Sequence, residues 1–271
     1  MMTRLTSDMI KDLPDSITAI DRMLMRTCSM DLRHLACCAA GMPITDFSDY
    51  KAVSVPITSG LGTISGFSQS TAKTASDMGL KSTIASVPDV NGFAEALNSN
   101  ADVILMADDE RFMSFGTASG RYADNSYCTA AGYVTALESA AGGLGSEEVL
   151  ILGAGKVGSI MATLVADAGC DILLADVDLF KAQKVASSLE KTSVTSNIRD
   201  AIASHRLILN ASPAPIDNSL ITDGAVISTP GVPYPIDKNT EDRATVIFDP
   251  LAIGTAVMIA QCLSFSIEKG V

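Results

Sequence analysis

The segment that most constrains the fold runs from Val149 to Asp176, where a strand, a glycine turn, a helix and a second strand follow one another without a gap. Val149-Leu150-Ile151-Leu152 is a short apolar run that leads directly into Gly153-Ala154-Gly155-Lys156-Val157-Gly158. A helical pattern (Ile160, Leu164, Val165, Ala168) follows and stops at Gly169. Ile172-Leu173-Leu174-Ala175 then forms the next strand and ends on Asp176. A lone Gly-x-Gly-x-x-Gly is weak evidence, but here it leaves a strand, opens a helix and precedes an acid at the next strand end. Each part has a chemical reason. Gly153 permits the tight turn, Gly155 lets backbone approach a pyrophosphate, and Gly158 lets helix and strand pack closely. The helix start at Lys156 and Val157 offers N–H groups to phosphate charge. Asp176 can accept both ribose hydroxyls and would repel a 2′-phosphate, so the cofactor expected is NAD rather than NADP.

The rest of the chain alternates in the same way. Strand candidates at 53–58, 82–86 and 103–108 are separated by helices near 67–79 and 90–98. A polar, Gly-containing stretch from Glu110 to Ser126 precedes a helix over 129–141. After the glycine turn come strand candidates SVTS, RLILNAS, AVISTPG and TVIFDP, then an apolar helix over 254–267. Residues 8–40 read as helix, with Ile10, Leu13, Ile17, Ile20, Met23, Leu24, Leu32, Leu35 and Ala36 forming a stripe. The fold class expected is therefore α/β, with two α/β domains, the C-terminal one a doubly wound Rossmann-type parallel sheet. The boundaries expected are an N-terminal helical segment over 1–40, a substrate domain over 41–142, an NAD-binding domain over 143–252, and a C-terminal helix over 253–271 that packs back on the first domain.

Composition narrows the partners. Nineteen basic against thirty-one acidic residues give a net charge of -12, which disfavours nucleic acid and anionic membrane surfaces. The first sixteen residues are too polar for a signal peptide, and no run approaches the ~20 apolar residues of a membrane span, so a cytoplasmic protein is expected. The six cysteines match neither a zinc nor a redox spacing and read as small buried hydrophobes. His34 and His205 lie far apart, so no metal site is expected.

If the glycine turn holds the cofactor, the ends of the other strands should carry the remaining chemistry. Asn210-Ala211-Ser212-Pro213 and Ser228-Thr229-Pro230-Gly231 end apolar strands with small polar residues, as strands lining a nicotinamide crevice do. In the first half, Thr58-Ser59-Gly60-x-Gly62, Asp108-Asp109 and Asn125 occupy strand or loop ends, and Asp249 ends the last strand. Gly60 and Gly62 would allow backbone N–H groups to face an anion. Singly, each of these residues is an ordinary cap or turn residue. Together they form a set of carboxylate, hydroxyl and amide groups with little positive charge, which suits a substrate carrying amines.

Several of these stretches resemble the pyrrolysine synthase family. They are Val55-Pro56-Ile57-Thr58-Ser59-Gly60-x-Gly62, Pro88-Asp89-Val90, Ile104-Leu105-Met106-Ala107-Asp108-Asp109, the glycine turn, Ser228-Thr229-Pro230-Gly231, and Pro250-Leu251-x-Ile253-Gly254-Thr255-Ala256. The resemblance spans nearly the whole chain in order and is weakest over 178–205 and 233–245. It implies NAD-dependent oxidation of the terminal amine carbon of 3-methyl-D-ornithyl-N6-L-lysine. The resulting imine or aldehyde loses ammonia and is captured by the ornithyl α-amine, closing the pyrroline ring. It also implies Ser59, Asp108 and Asn125 around the substrate, a mobile lid in the N-terminal helix, and Leu5 as a lid contact. Asp249 stands where that family is expected to carry Glu, a carboxylate with one methylene less reach.

Asp108, Asp249 and Ser59 are the candidate catalytic residues, with either carboxylate able to take a proton or anchor an ammonium group. Thr58, Asn125 and Leu5 complete the substrate set. The partner expected is a small dipeptide-like amine, and a homodimer is the oligomer considered. The alternative is another two-domain NAD-dependent amino-acid or methylenetetrahydrofolate-type dehydrogenase. The folate reading lacks a suitable lysine, since Lys51, Lys73 and Lys81 do not sit at apparent strand ends.

Overall fold

In the computed structural model, which describes residues 13–268, the alternating runs form two sheets. The N-terminal stripe divides into two helices, α1 (Leu13–Cys28) and α2 (Leu32–Ala39), where one helix was expected. The break falls at Ser29, whose φ of 56° lies in the left-handed region. Asp31 restarts the chain by accepting the His34 N–H at 2.7 Å as N-cap of α2, while Asp21 accepts the Leu32 N–H at 2.9 Å. The apolar stripe continues in phase across the break, so periodicity alone cannot reveal it. Among the described residues no helix is long and apolar enough to cross a membrane. Five of the six cysteines are buried, and Cys38 is exposed.

The first sheet comprises β1 (Lys51–Val55), β2 (Lys81–Ile84), β3 (Val103–Ala107), β4 (Phe112–Gly116) and β5 (Arg121–Asp124), in the order β2-β1-β3-β4-β5. β1 pairs in parallel with β2 and β3, through α3 (Phe67–Asp77) and α4 (Asp89–Asn98). β4 and β5 add antiparallel strands in the stretch from Glu110 to Ser126, for which no strand was expected. Their signal is Phe112-Met113-Ser114-Phe115-Gly116, which alternates buried and half-buried positions with small residues in place of β-branched ones. Ser114 must be small because the C-terminal helix α9 (Ala252–Glu268) lies against it, and its hydroxyl donates to the Met258 carbonyl at 2.9 Å. The register Val55↔Met106 brings the ends of β1 and β3 level, so the segments after Val55 and after Ala107 emerge side by side.

The second sheet is parallel throughout. It comprises β6 (Val149–Leu152), β7 (Ile172–Ala175), β8 (Thr192–Thr195), β9 (Leu207–Asn210), β10 (Val226–Thr229) and β11 (Thr245–Phe248). Its order, β11-β10-β9-β6-β7-β8, is the doubly wound arrangement with the chain reversing beside β6. β6, β9 and β10 are buried at every position, as strands covered on both faces must be. α6 (Lys156–Asp167), α7 (Leu179–Ala186) and α8 (Ile198–Ser204) connect them, and the long helix α5 (Asn125–Ala141) precedes β6. α6 buries Gly158, Met161, Ala162 and Val165; of the expected stripe Val165 is buried, Ile160 and Leu164 are half-buried and Ala168 is exposed. The face is rotated because the residue without a side chain must meet the strand.

By contact density the chain divides into one unit of Met1–Arg22, Met30–Thr129 and Pro250–Val271, and a second of Met23–Ser29 and Ala130–Asp249. Within the second, Leu152 sits opposite both Ala175 and Asn210, so the glycine turn, Asp176 and Ala211 leave the sheet at one level.

An added Cβ at Gly158 would penetrate the Gly153 carbonyl oxygen, whereas one at Gly155 would meet nothing within 4 Å. Gly158→Ala should therefore destabilise the protein by about 1–3 kcal/mol through overpacking, and Gly155→Ala by less than about 0.5 kcal/mol. Thermal or denaturant melts of the two variants check the contrast, and equal melting of both would contradict this packing.

Candidate active site

The glycine turn is held from three sides. Gly153 has a φ of +98° and donates its N–H to the Ala175 carbonyl at 2.7 Å, a conformation that only glycine adopts cheaply. A Cβ there would lie 3.1 Å from the Ala211 carbonyl carbon, and one at Gly158 would lie 3.2 Å from the Ala211 methyl. Ala211 thus packs directly on the turn. Asp176 closes the third side, since one carboxylate oxygen accepts the Ala154 N–H at 2.6 Å and the other accepts the Asp178 N–H at 2.8 Å.

Gly155 is different. Its extended backbone (φ −74°, ψ −169°) suits any residue, so nothing within the chain demands glycine there. The free space is on the outer side of the turn, beside the exposed Lys156 and half-buried Val157 that open α6. A phosphate laid there would meet the first-turn N–H groups and the positive end of the helix dipole. Val177 to Phe180 contain no basic residue after Asp176, and the next one, Lys181, lies 3.8 Å from Asp178.

The neighbouring strand ends are tied into the same edge. Asn210 is buried; its side-chain amide donates to the Thr229 hydroxyl at 3.2 Å and its carbonyl oxygen accepts the Ser212 N–H at 3.1 Å. The Thr229 hydroxyl donates back to the Asn210 main-chain carbonyl at 3.1 Å and accepts the Gly231 N–H at 3.3 Å. Gly231 approaches the Ser212 carbonyl so closely that a Cβ would lie 2.5 Å from it. Ala211, Ser212, Pro213, Thr229, Pro230 and Gly231 therefore share one rim with the glycine turn. Asp249 leaves β11 on the same sheet and is 4% exposed. Its backbone N–H donates at 2.9 Å to the phenol oxygen of Tyr133, and that phenol donates to the Asp249 carbonyl.

In the first unit the loop after β1 is clamped by carboxylates. Asp89, the first residue of α4, accepts the Thr58 N–H at 2.7 Å and also the Thr58 hydroxyl. Asp109 accepts the Leu61 N–H at 2.6 Å and lies so close to Gly60 that a Cβ there would clash with it. The Thr58 and Leu61 amides of this loop thus face the chain's own carboxylates, while the Gly62 N–H donates to the Ser59 carbonyl at 3.3 Å. Asp108 turns the β3–β4 connection, accepting the Glu110 and Arg111 N–H groups at 2.8 Å, both through one oxygen. Thr58, Ser59 and the Asp108-Asp109 pair are thus brought together. Asn125 follows β5 at the same edge of that sheet, since Ala107 pairs with Phe112 and Met113 with Asp124; at the start of α5 its side-chain oxygen accepts the Thr129 hydroxyl at 3.2 Å beneath Gly254 of α9. Leu5 and the beginning of the expected lid lie outside the described residues.

Sequence reasoning gave no role to two residues in this arrangement, Asp89 and Tyr133, and did not foresee that Asp109 holds the β1 loop. Their partners lie far away in sequence, and Tyr133 reads as one more apolar position of α5. Only the acids after VILMA and after Val87-Pro88 gave a local sign.

The class follows from the fold: a chain of two α/β units, the second with the strand order of dinucleotide-binding sheets. Quinate dehydrogenase from Corynebacterium glutamicum in complex with NAD shares this fold at 17% identity and a TM-score of 0.51, over 82% of this chain and 93% of that one. Shikimate dehydrogenase from Aquifex aeolicus does so at 15% identity and a TM-score of 0.50, over 82% and 92%. A family model described as the N-terminal domain of the pyrrolysine biosynthesis protein PylD matches residues 9–123. Pyrrolysine synthase from Methanosarcina acetivorans is 31% identical over 266 residues, covering 97% of this chain and 100% of the relative. That of Methanosarcina barkeri is 29% identical over 266 residues, covering 97% and 98%. The chain belongs to the pyrrolysine synthase family.

The Asp89 clamp has a pH signature. The Thr58 hydroxyl, and then the Thr58 N–H, hold its carboxyl below the ordinary 3.8. A lowered folded value means that the clamp is fully present above the unfolded value and is lost as pH falls through the folded one, so neutral pH leaves it intact. A carbon NMR titration should show Asp89 titrating below 3.8 and moving upward in Thr58→Val. An unmoved titration in that variant would remove the hydroxyl from the clamp.

Proposed function

We propose that the protein is an NAD-dependent amine dehydrogenase that oxidises the terminal amine carbon of 3-methyl-D-ornithyl-N6-L-lysine, releases ammonia and closes the pyrroline ring of pyrrolysine. The observation that carries this reading is the glycine turn locked to Asp176, in a chain of the pyrrolysine synthase family. The relatives' name supplies the product class, and the NAD held by the quinate dehydrogenase of the same fold agrees with the cofactor.

The residues fit a nicotinamide dinucleotide. Gly155, Lys156, Val157 and Gly158 would receive the pyrophosphate, and Asp176 the adenosine ribose hydroxyls, where its charge opposes a 2′-phosphate. Ala211, Ser212, Pro213, Thr229, Pro230 and Gly231 would edge the nicotinamide. When bound, this cofactor supplies the hydride acceptor.

On the substrate side, Asp89, Asp108 and Asp109 make the ends of β1 and β3 acidic, which suits a substrate with more ammonium groups than carboxylates. The turn bonds of Asp108 use one oxygen, leaving the other for an ammonium group. Hydride departs more readily from the carbon of a neutral amine than from that of an ammonium, so a carboxylate must first take a proton. Asp108 and Asp249 are the candidates, with Ser59, Thr58 and Asn125 orienting the amine and amide groups. Loss of hydride then leaves an imine carbon, which the ornithyl α-amine attacks as ammonia departs.

Asp176→Ala should raise KM for NAD at least about tenfold while turnover at saturation changes little. Unaltered NAD affinity in that variant would take Asp176 out of the ribose site. Asp108→Ala should abolish both ammonia release and NADH formation while NAD still binds. Full turnover in it would remove Asp108 from the chemistry. Gly155→Ala, stable by the packing argument, should bind NAD more weakly, and undiminished binding would move the pyrophosphate off the turn.

A further inference from the structure

The phenol of Tyr133 is one of the largest fully buried side chains, 1% exposed, and the steps above do not use it. It grips both polar groups of a single residue, accepting the Asp249 N–H at 2.9 Å and donating to the Asp249 carbonyl. Holding both groups of one residue with one hydroxyl fixes the φ and ψ of Asp249, and therefore the direction of its Cα–Cβ bond. The helix carrying Tyr133 is itself anchored, because the buried Ser228 hydroxyl of β10 donates to the Tyr133 main-chain carbonyl at 2.7 Å. β10 pairs with β11, the strand that ends at Asp249, in the register Thr229↔Phe248. Ser228, Tyr133 and Asp249 thus close a bracket across two adjacent strands. Burial first, and the nearby Asp249 charge second, push the phenol well above its ordinary range, so it stays protonated and can donate.

We infer that Tyr133 is a positioning residue for turnover, which sets the carboxylate of Asp249 by clamping the backbone that carries it. This rests on the reading that Asp249 acts in the reaction. An aspartate has only two side-chain torsions, so a backbone displacement passes almost undiminished to the carboxylate. A misplacement of about 1 Å can cost catalysis on the order of a hundredfold.

The test is a double-mutant cycle on the full chain with NAD and the dipeptide-like amine. Tyr133→Phe keeps the ring and removes the hydroxyl. Turnover should fall by roughly ten- to a hundredfold, with the dissociation constant for NAD and KM for the amine unchanged. Asp249→Asn should also lower turnover, and Tyr133→Phe should then cost nothing more, because the two changes remove one function. Wild-type turnover in Tyr133→Phe, or losses that multiply in the double variant, would overturn the inference while leaving the proposed reaction intact. Wild-type turnover in Asp249→Asn would instead remove Asp249 from the reaction and the clamp with it. If circular dichroism shows that Tyr133→Phe does not fold, Ser228→Ala carries the test. It loosens the same bracket, should lower turnover without changing NAD affinity, and overturns the inference if it turns over as wild type.

Discussion

Everything proposed for the second unit depends on how closely α6 can approach β6. Gly158 sits where any side chain would enter the Gly153 carbonyl, and Gly153 takes a backbone angle that side chains avoid. Ala211 fills the small space left against both. Because the three residues meet at the level where β6, β7 and β9 end, one steric constraint aligns the turn, Asp176 and the Asn210–Thr229 web on one rim. The bond from Ala154 to Asp176 converts that alignment into a fixed shape. Gly155 is the exception, since a side chain there would meet nothing inside the protein, and the proposed pyrophosphate site gives its absence a purpose.

The first unit solves a different problem. Its β1 loop donates main-chain N–H groups to Asp89 and Asp109. The loop is thereby held by its own acids, which make the ends of β1 and β3 negatively charged. In a chain of net charge -12 this concentration at two strand ends accords with an amine-rich substrate. Asp89 carries an unusual φ of 58°, and its hydrogen bonds to Thr58 offset the strain of that backbone.

What could be read from the sequence was local. The glycine turn, its flanking strands and Asp176 lie within one continuous stretch, and each imposes its own spacing. The parallel pairing of β1, β2 and β3 and of the whole second sheet followed from apolar runs alternating with helical ones. The break at Ser29 was hidden because the stripe resumes in phase. The β4–β5 hairpin was hidden because Ser114 and Gly116 are small for the sake of α9, which is more than a hundred residues away. The buried face of α6 was legible only through Gly158 and Val165, because its buried edge is set by a glycine rather than by its largest residues. The clamps at Asp89, Asp109 and Tyr133 all join distant segments, and no periodicity reports such partners. Family membership, by contrast, was legible in short motifs spread in order along the chain, because strand ends and turns keep their residues together.

The account turns on the proposed NAD-dependent oxidation of this amine, and the most direct test is a single-turnover assay. Purified protein is mixed with NAD and 3-methyl-D-ornithyl-N6-L-lysine, NADH is followed by absorbance, and the product is weighed by mass spectrometry. The account predicts NADH formed in equal amount with a product lighter than the substrate by two hydrogens and one ammonia, the mass of pyrrolysine. NADH formation from this substrate with a product that retains the nitrogen, or tight NAD binding with no NADH at all, would contradict it.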